Sequence, residues 1–436
     1  MKKVIIVALA LFLAIPAISY AGSVTSRWDV VIGGYVKFDM GYNDKGVAAD
    51  FMLAPRKSAG GNENILNEYG NFFTAAGETT LNFLIKGPDG WGAKTTAFIE
   101  GDFEAKWANG ANDPADKDYG LFTLRHAWMK FDWAKSSLLI GQAWQVWGLL
   151  PTYGGRLLGN DFLAPFMKGA RQPQIAGSYR FDKNWAGVVA IAANTSNLGT
   201  AGGNSQVNSF SRSALPFVEG ELTWTSDACG KIGPWQMLFG LGGFYGSEKQ
   251  TYDVDPTANQ SWRDKNVHAW SVLFKGFVPI IPEKKGNKTG ALSISGAIFT
   301  GQNMSWFGAG PSSPAWGSYA RADMDYVAPT GSGGWGHIAY FFTDNVHING
   351  YYGYARMNYS EAFRTVGIPG ALANMRWNNL QHMIVNLMYD VNPAMRLGLE
   401  WANISTTYGR WADPAGQVYE RNGNVNSFRI GAFYFF

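Results

Sequence analysis

From about residue 30 onward the sequence reads as short segments in which apolar and polar residues alternate, and the gaps between those segments alternate long and short. In "DVVIGGYVKFDMGY", Val30, Ile32, Val36, Phe38, Met40 and Tyr42 share one face, leaving Tyr35, Lys37 and Asp39 on the other. "ETTLNFLIKG" sets Leu81, Phe83 and Ile85 against Glu78, Thr80, Asn82 and Lys86, and "AMRLGLEWAN" sets Met395, Leu397, Leu399 and Trp401 against Arg396 and Glu400. A period of two is the strand period. In the last segment, "NVNSFRIGAFYFF", Phe428, Ile430, Ala432, Tyr434 and Phe436 form one face and Ser427 and Arg429 the other. "FTLRHAWMKFDW" and "SSLLIGQAWQVW" have strand composition but no clear parity.

Strands are expected at about 30–42, 77–87, 91–103, 121–132, 137–147, 174–181, 184–194, 215–225, 235–248, 266–278, 290–302, 334–342, 346–359, 378–389, 395–406 and 424–436. That is about sixteen, with fourteen or eighteen also compatible with the pattern. Residues 43–76 and 104–120 are long gaps, whereas "GPDG" at 87–90, "DKN" at 182–184, "TDN" at 343–345 and "VNPA" at 391–394 are tight turns. The connections at 226–234 and 279–289 are longer than the rest of the short set.

The chain begins "MKKVIIVALALFLAIPAISYAGS": two lysines, an apolar stretch from Val4 to Ile18, and small residues at Ser19 and Ala21. This predicts a secretory signal peptide over 1–21, cleaved after Ala21, with the barrel in 22–436. Removing Lys2 and Lys3 leaves 34 basic against 33 acidic residues, a balance that gives no reason to expect a nucleic-acid partner. Cys229 is the single cysteine, so no internal disulfide and no Cys-x-x-Cys-His haem attachment is possible. Aromatics are 15% and charged residues only 16%, yet no second run of 18 or more apolar residues exists. Only helices and closed barrels satisfy every backbone group in lipid. The expected fold class is therefore all-β, a transmembrane antiparallel up-and-down barrel with short periplasmic turns and long extracellular loops.

The sequence resembles a Gram-negative outer-membrane porin of the 16-stranded, usually trimeric kind. The likeness rests on the last strand, with Phe436 terminal and Tyr434 third from last, and on "RQPQI" at 171–175 after a long third loop. The resemblance implies a cell-outer-membrane location among lipid, a homotrimer, and recognition of Phe436 and Tyr434 by the outer-membrane assembly machinery. It also implies that the third loop, 148–173, folds inward and narrows the pore. In that loop Arg156, Asp161, Lys168 and Arg171 are candidates to face the solute, with Leu157, Leu158, Phe162 and Phe166 against the wall.

A barrel of about sixteen strands is wide enough for an aqueous channel. Candidate lining residues opposite the lipid face are Lys37, Asp39, Glu78, Lys86, Lys94, Glu100, Asp102, Glu219, Glu221, Lys275, Arg396, Glu400 and Arg429. Mixed signs suit sorting of ions and small hydrophilic solutes by charge, and solvated or strand-bridging charges are the plainer reading. Trp91, Trp144, Trp147, Trp335, Tyr351, Tyr352 and Tyr434 suit interfacial girdles. The function expected is a porin for passive diffusion. A substrate-specific channel is the alternative, though no aromatic slide can be traced from strand to strand; an adhesin or a sleeve for a redox partner is another. An enzyme is not expected: the five histidines show no His-Glu-x-x-His spacing, no Gly-x-Ser-x-Gly elbow occurs, and neither a metal nor a cofactor is called for.

Overall fold

The structure, a computed structural model, describes residues 28–46, 54–55, 58–59, 62–63, 68–105, 121–150, 171–193, 213, 215–253, 262–302, 319–320, 326–327, 330–358, 377–408 and 422–436. The expected signal peptide at 1–21 lies outside them. The strands are β1 (Asp29–Asn43), β2 (Ser58–Ala59), β3 (Asn62–Glu63), β4 (Asn71–Ala75), β5 (Thr80–Lys86), β6 (Lys94–Ala105), β7 (Leu121–Asp132), β8 (Ser136–Trp144), β9 (Arg171–Arg180) and β10 (Trp185–Ala192). They continue as β11 (Phe217–Ile232), β12 (Trp235–Asp253), β13 (Trp262–Ile281), β14 (Leu292–Gln302), β15 (Tyr319–Ala320), β16 (Tyr326–Val327), β17 (Thr330–Phe341), β18 (Val346–Asn358), β19 (Trp377–Asn392), β20 (Met395–Tyr408) and β21 (Asn422–Phe435).

The pairs β2–β3 and β15–β16 are two-residue ribbons; the other seventeen strands form one sheet in which every pairing with a register is antiparallel. The sheet closes. β21 returns to β1 in continuous register from Tyr35↔Phe435 to Asn43↔Ser427, and Gly34 and Phe436 exchange backbone hydrogen bonds at 3.1 and 3.2 Å. β4 and β5 both pair with β1, so they are two halves of one crossing, and the barrel has sixteen spanning strands. The expected second strand, 77–87, thus starts earlier and is interrupted at Ala76–Thr79. Four residues there oppose the three between Tyr35 and Asp39, which is a bulge.

Seven connections, 87–93, 133–135, 181–184, 233–234, 282–291, 342–345 and 393–394, share one rim with Trp28 and Phe436. Eight others, including 44–70, 145–170 and 303–329, join strand ends at the opposite rim. The irregular gap expected at 226–234 disappears because β11 runs on to Ile232 and turns at once into β12; β13 likewise runs to Ile281. Turn chemistry is local: Asp182 accepts the N–H of Asn184 at 2.7 Å and of Trp185 at 2.8 Å. Those two bonds, that of Trp185 foremost, hold its carboxyl below the ordinary carboxylate range.

The period of two sorts residues by side. On β21, Phe428, Ile430 and Tyr434 are exposed on the outside while Ser427, Arg429 and Phe433 are buried inside. On β1, Val36, Phe38 and Tyr42 point out and Lys37 and Asp39 in. Trp91, Tyr352 and Tyr434 are exposed, as expected for girdle residues, and Trp91 stacks on Phe131 at 5.1 Å beside the 87–93 turn. Trp335 and Tyr351 are buried instead, because their positions carry the inward parity, and Trp147 is buried beyond the end of β8.

The closing seam generates a prediction. Removing Phe436 deletes both bonds to Gly34, each worth about 0.5–1.5 kcal/mol, and takes an aromatic ring off the outer face. The fraction of chain recovered as a heat-modifiable barrel on unboiled gels should fall, and an unchanged fraction would contradict this seam.

Candidate functional site

The alternation that turns apolar residues outward aims charged side chains into the barrel, where they meet as local pairs. Lys37 Nζ lies 3.0 Å from Asp39 and also bonds Glu78, which the break between β4 and β5 brings alongside it. Arg125 donates through Nε to Glu100 at 2.8 Å and bonds Asp102. Lys275 Nζ is 2.7 Å from Glu221. Arg429 lies 4.0 Å from Glu400 and donates from Nε to Ser427 at 2.8 Å. Neutral groups continue this lining as far as Glu400: Ser295, His337, Asn349 and Asn386 lead to it from β14 to β20, joined in sequence at 2.8–3.2 Å. A buried charge is costly without a partner. Lys37 and Arg125 each serve two acids and Lys275 and Arg429 one each, so part of the charge is offset locally.

The described start of the third loop turns inward. After β8 ends at Trp144, residues 145–150 reach across to β11 and β13: the Gly148 N–H donates to Glu221 Oε2 at 2.8 Å, the Val146 N–H to Glu219 Oε2 at 3.4 Å, and Lys275 Nζ donates to the Leu149 carbonyl. Trp147 is fully buried, its ring 5.4 Å from that of Phe244 on β12. Gly242 makes room for it, since a Cβ there would stand 3.0 Å from Trp147 Cβ and from the Gly220 carbonyl. "RQPQI" contributes to the same wall: Gln172 donates to Glu219, and Gln174 to the carbonyls of Ala143 and Trp144 at 3.0 and 2.7 Å.

β6, β7 and β8 carry an aromatic pocket. Its lining includes Tyr35, Phe98, Glu100, Arg125, His126, Trp128 and Trp144, around a cavity of about 640 Å³. Phe98 and Trp128 are ladder partners stacked at 5.3 Å, and His126 meets Phe98 and Trp144 edge-on at 6.0 and 5.6 Å. A bulge builds it: Glu100 pairs with His126 and Gly101 with Leu124, so Arg125 is the extra residue and both Arg125 and His126 face in.

Of the expected lining residues, Lys37, Asp39, Glu100, Glu400 and Arg429 are thus inward and paired. Lys94 is exposed at the start of β6, and Arg396 bonds Asp390 in the last turn of the β19–β20 hairpin, with its second bond at 3.0 Å. Arg171 opens β9, its guanidinium 4.7 Å over the Trp144 ring. Arg156, Asp161 and Lys168 lie outside the described residues. Sequence reasoning did not single out Arg125, Gln172 or Trp147 as wall residues; parity could not find the first, since the bulge inverts it.

No family model matches the chain, and no curated protein matches it. Among solved structures, the chain is similar to the outer membrane channel DcaP of Acinetobacter baumannii, with a TM-score of 0.62 at 16% identity over 96% of this chain and 100% of that one. The outer-membrane expressed OmpT of Vibrio cholerae gives a TM-score of 0.52 at 10% identity over 94% and 99%. At such identities the likeness is one of fold: the chain shares with these proteins a closed antiparallel barrel.

The inward segment depends on one carboxylate. Glu221→Ala leaves Lys275 buried with no acid beside it among the described residues, and the Gly148 N–H without its acceptor. Breaking a buried pair by removing one partner costs about 3–5 kcal/mol. The variant should lose its heat-modifiable form at a clearly lower temperature than wild type, and segment 145–150 should become open to limited proteolysis; unchanged resistance there would show that Glu221 does not hold it.

Proposed function

We propose that this barrel is a porin of the bacterial outer membrane, forming a water-filled channel for passive diffusion of ions and small hydrophilic solutes. The observation that carries the reading is the closed wall itself, apolar outside and lined inside by ion pairs and hydrogen-bonding side chains. Such a surface requires lipid around it and accepts polar solutes within. The rim with the short turns faces the periplasm and the opposite rim the exterior. The homotrimer, the signal peptide at 1–21 and a role of Phe436 and Tyr434 in assembly are part of the proposal; the signal peptide rests on the lysines, apolar stretch and small residues of the N-terminus, and the other two on the resemblance of the sequence. No catalytic motif in the sequence favours an enzyme.

The third loop supplies the selectivity in this account. The inward course of 145–150 supports a constriction by the rest of 148–173, with Arg156, Lys168 and Arg171 as a basic cluster at the narrowest point. Wall bases offset part of the wall's acidic charge, and fixed charge brought in by the loop at short range adds to the field there.

Stepwise conductance in planar bilayers tests the channel, and folded protein that gives no steps would overturn it. Reversing Arg156, Lys168 and Arg171 together to Glu should shift the reversal potential under a salt gradient towards cation selectivity and hold at moderate salt. Exposed loop charges would be damped over a Debye length of about 8 Å, so unchanged selectivity would mean that the loop charges stay outside the pore. Topology has its own test. An epitope in the β14–β17 connection should be reachable on intact cells and one beside Asp344 should not; the reverse pattern would sink the orientation.

A further inference from the structure

We infer that the aromatic pocket on β6–β8 is a binding subsite for a neutral, hydroxylated ring of the saccharide type. The inference deepens the channel reading and rests on it for the route by which solute arrives. A sugar ring offers one apolar C–H face and an edge of hydroxyl donors, and a site for it needs a flat aromatic surface beside planar polar side chains. Both are present. Phe98 and Trp128 stand parallel within 27°. The ladder partner of Trp128 on the β8 side is Gly141, with φ of 135°, where a Cβ would fall 3.0 Å from that of Trp128. No side chain covers the indole from that position.

The polar side is equally specific. Glu100 gives Oε1 to Arg125 Nε, and its Oε2 accepts no hydrogen bond among the described residues, so a carboxylate oxygen remains open to a hydroxyl donor beside the rings. The Arg125 guanidinium is held by Glu100 and Asp102, and Tyr35 adds to the lining.

Charge decides between ring types. Within the lining Arg125 and Glu100 are one base and one acid bonded to each other, so the groups beside the rings give neither an aromatic anion nor an aromatic cation a charge of its own to meet. Selection falls on shape and hydrogen bonding, which a neutral polyol ring satisfies.

The test uses the full folded protein in detergent, titrated by calorimetry with maltotriose, with benzoate and benzylammonium as charged-ring controls. Maltotriose should bind in the millimolar range and more tightly than either control. Trp128→Leu and the isosteric Glu100→Gln should each weaken it at least fivefold in protein that keeps the heat-modifiable form, and Glu100→Gln carries the test if Trp128→Leu does not fold. Absent maltotriose binding, unchanged affinity in the variants, or tighter binding of either charged ring would overturn the inference. In bilayers, maltotriose should interrupt the current, with interruptions shortened in Trp128→Leu. Protein that binds maltotriose but conducts nothing would sink the channel reading alone, and protein that conducts but binds none would sink the pocket alone.

Discussion

In lipid no water is available to an unpaired backbone group, and this one constraint shapes the whole molecule. Each unsatisfied N–H or C=O in hydrocarbon costs several kcal/mol, so a sheet that spans a bilayer must have no edge. Here the first and last strands remove it. β1 is bonded on one side to β4 and β5 and on the other to β21, up to the mutual bonds of Gly34 and Phe436. Closure fixes the parity of every strand, because a slip of one residue would turn Arg429 and Lys37 into lipid and Phe428 and Phe38 inward. The even number of crossings then brings both ends of the sheet to the rim of the short turns.

Inside, the same parity gathers charge that cannot be left alone. The wall answers with pairs drawn from adjacent strands, such as Arg125 with Glu100 across β6–β7, and from more distant ones, such as Lys275 on β13 with Glu221 on β11. Such pairs are weak evidence for stability, since desolvation offsets much of their attraction. Their effect here is on field and position: they offset part of the wall's charge and fix the Glu221 carboxylate on which residues 145–150 hang.

Much of this was legible in the sequence. Period two and the alternation of gap lengths were sufficient for the barrel, its rims and the faces of β1, β20 and β21. What escaped were the departures from parity. Glu78 reaches Lys37 only because the second crossing breaks at Ala76–Thr79, and Arg125 and His126 share one face only through a bulge that no local residue pattern announces. That bulge is also why an aromatic cluster of Phe98, His126, Trp128 and Trp144 could not be traced from strand to strand. Trp147 read as a girdle residue because a period of two cannot tell the end of a strand from the start of an inward loop.

Amide hydrogen exchange of the folded protein in lipid nanodiscs tests closure most directly. If β21 pairs with β1, the amides of Tyr35–Asn43 and of Ser427–Phe435 exchange as slowly as those of β12 and β13 in the middle of the sheet. If the sheet were open at this seam, alternate amides along both β1 and β21 would exchange rapidly while the interior strands stayed protected, and that result would contradict the barrel.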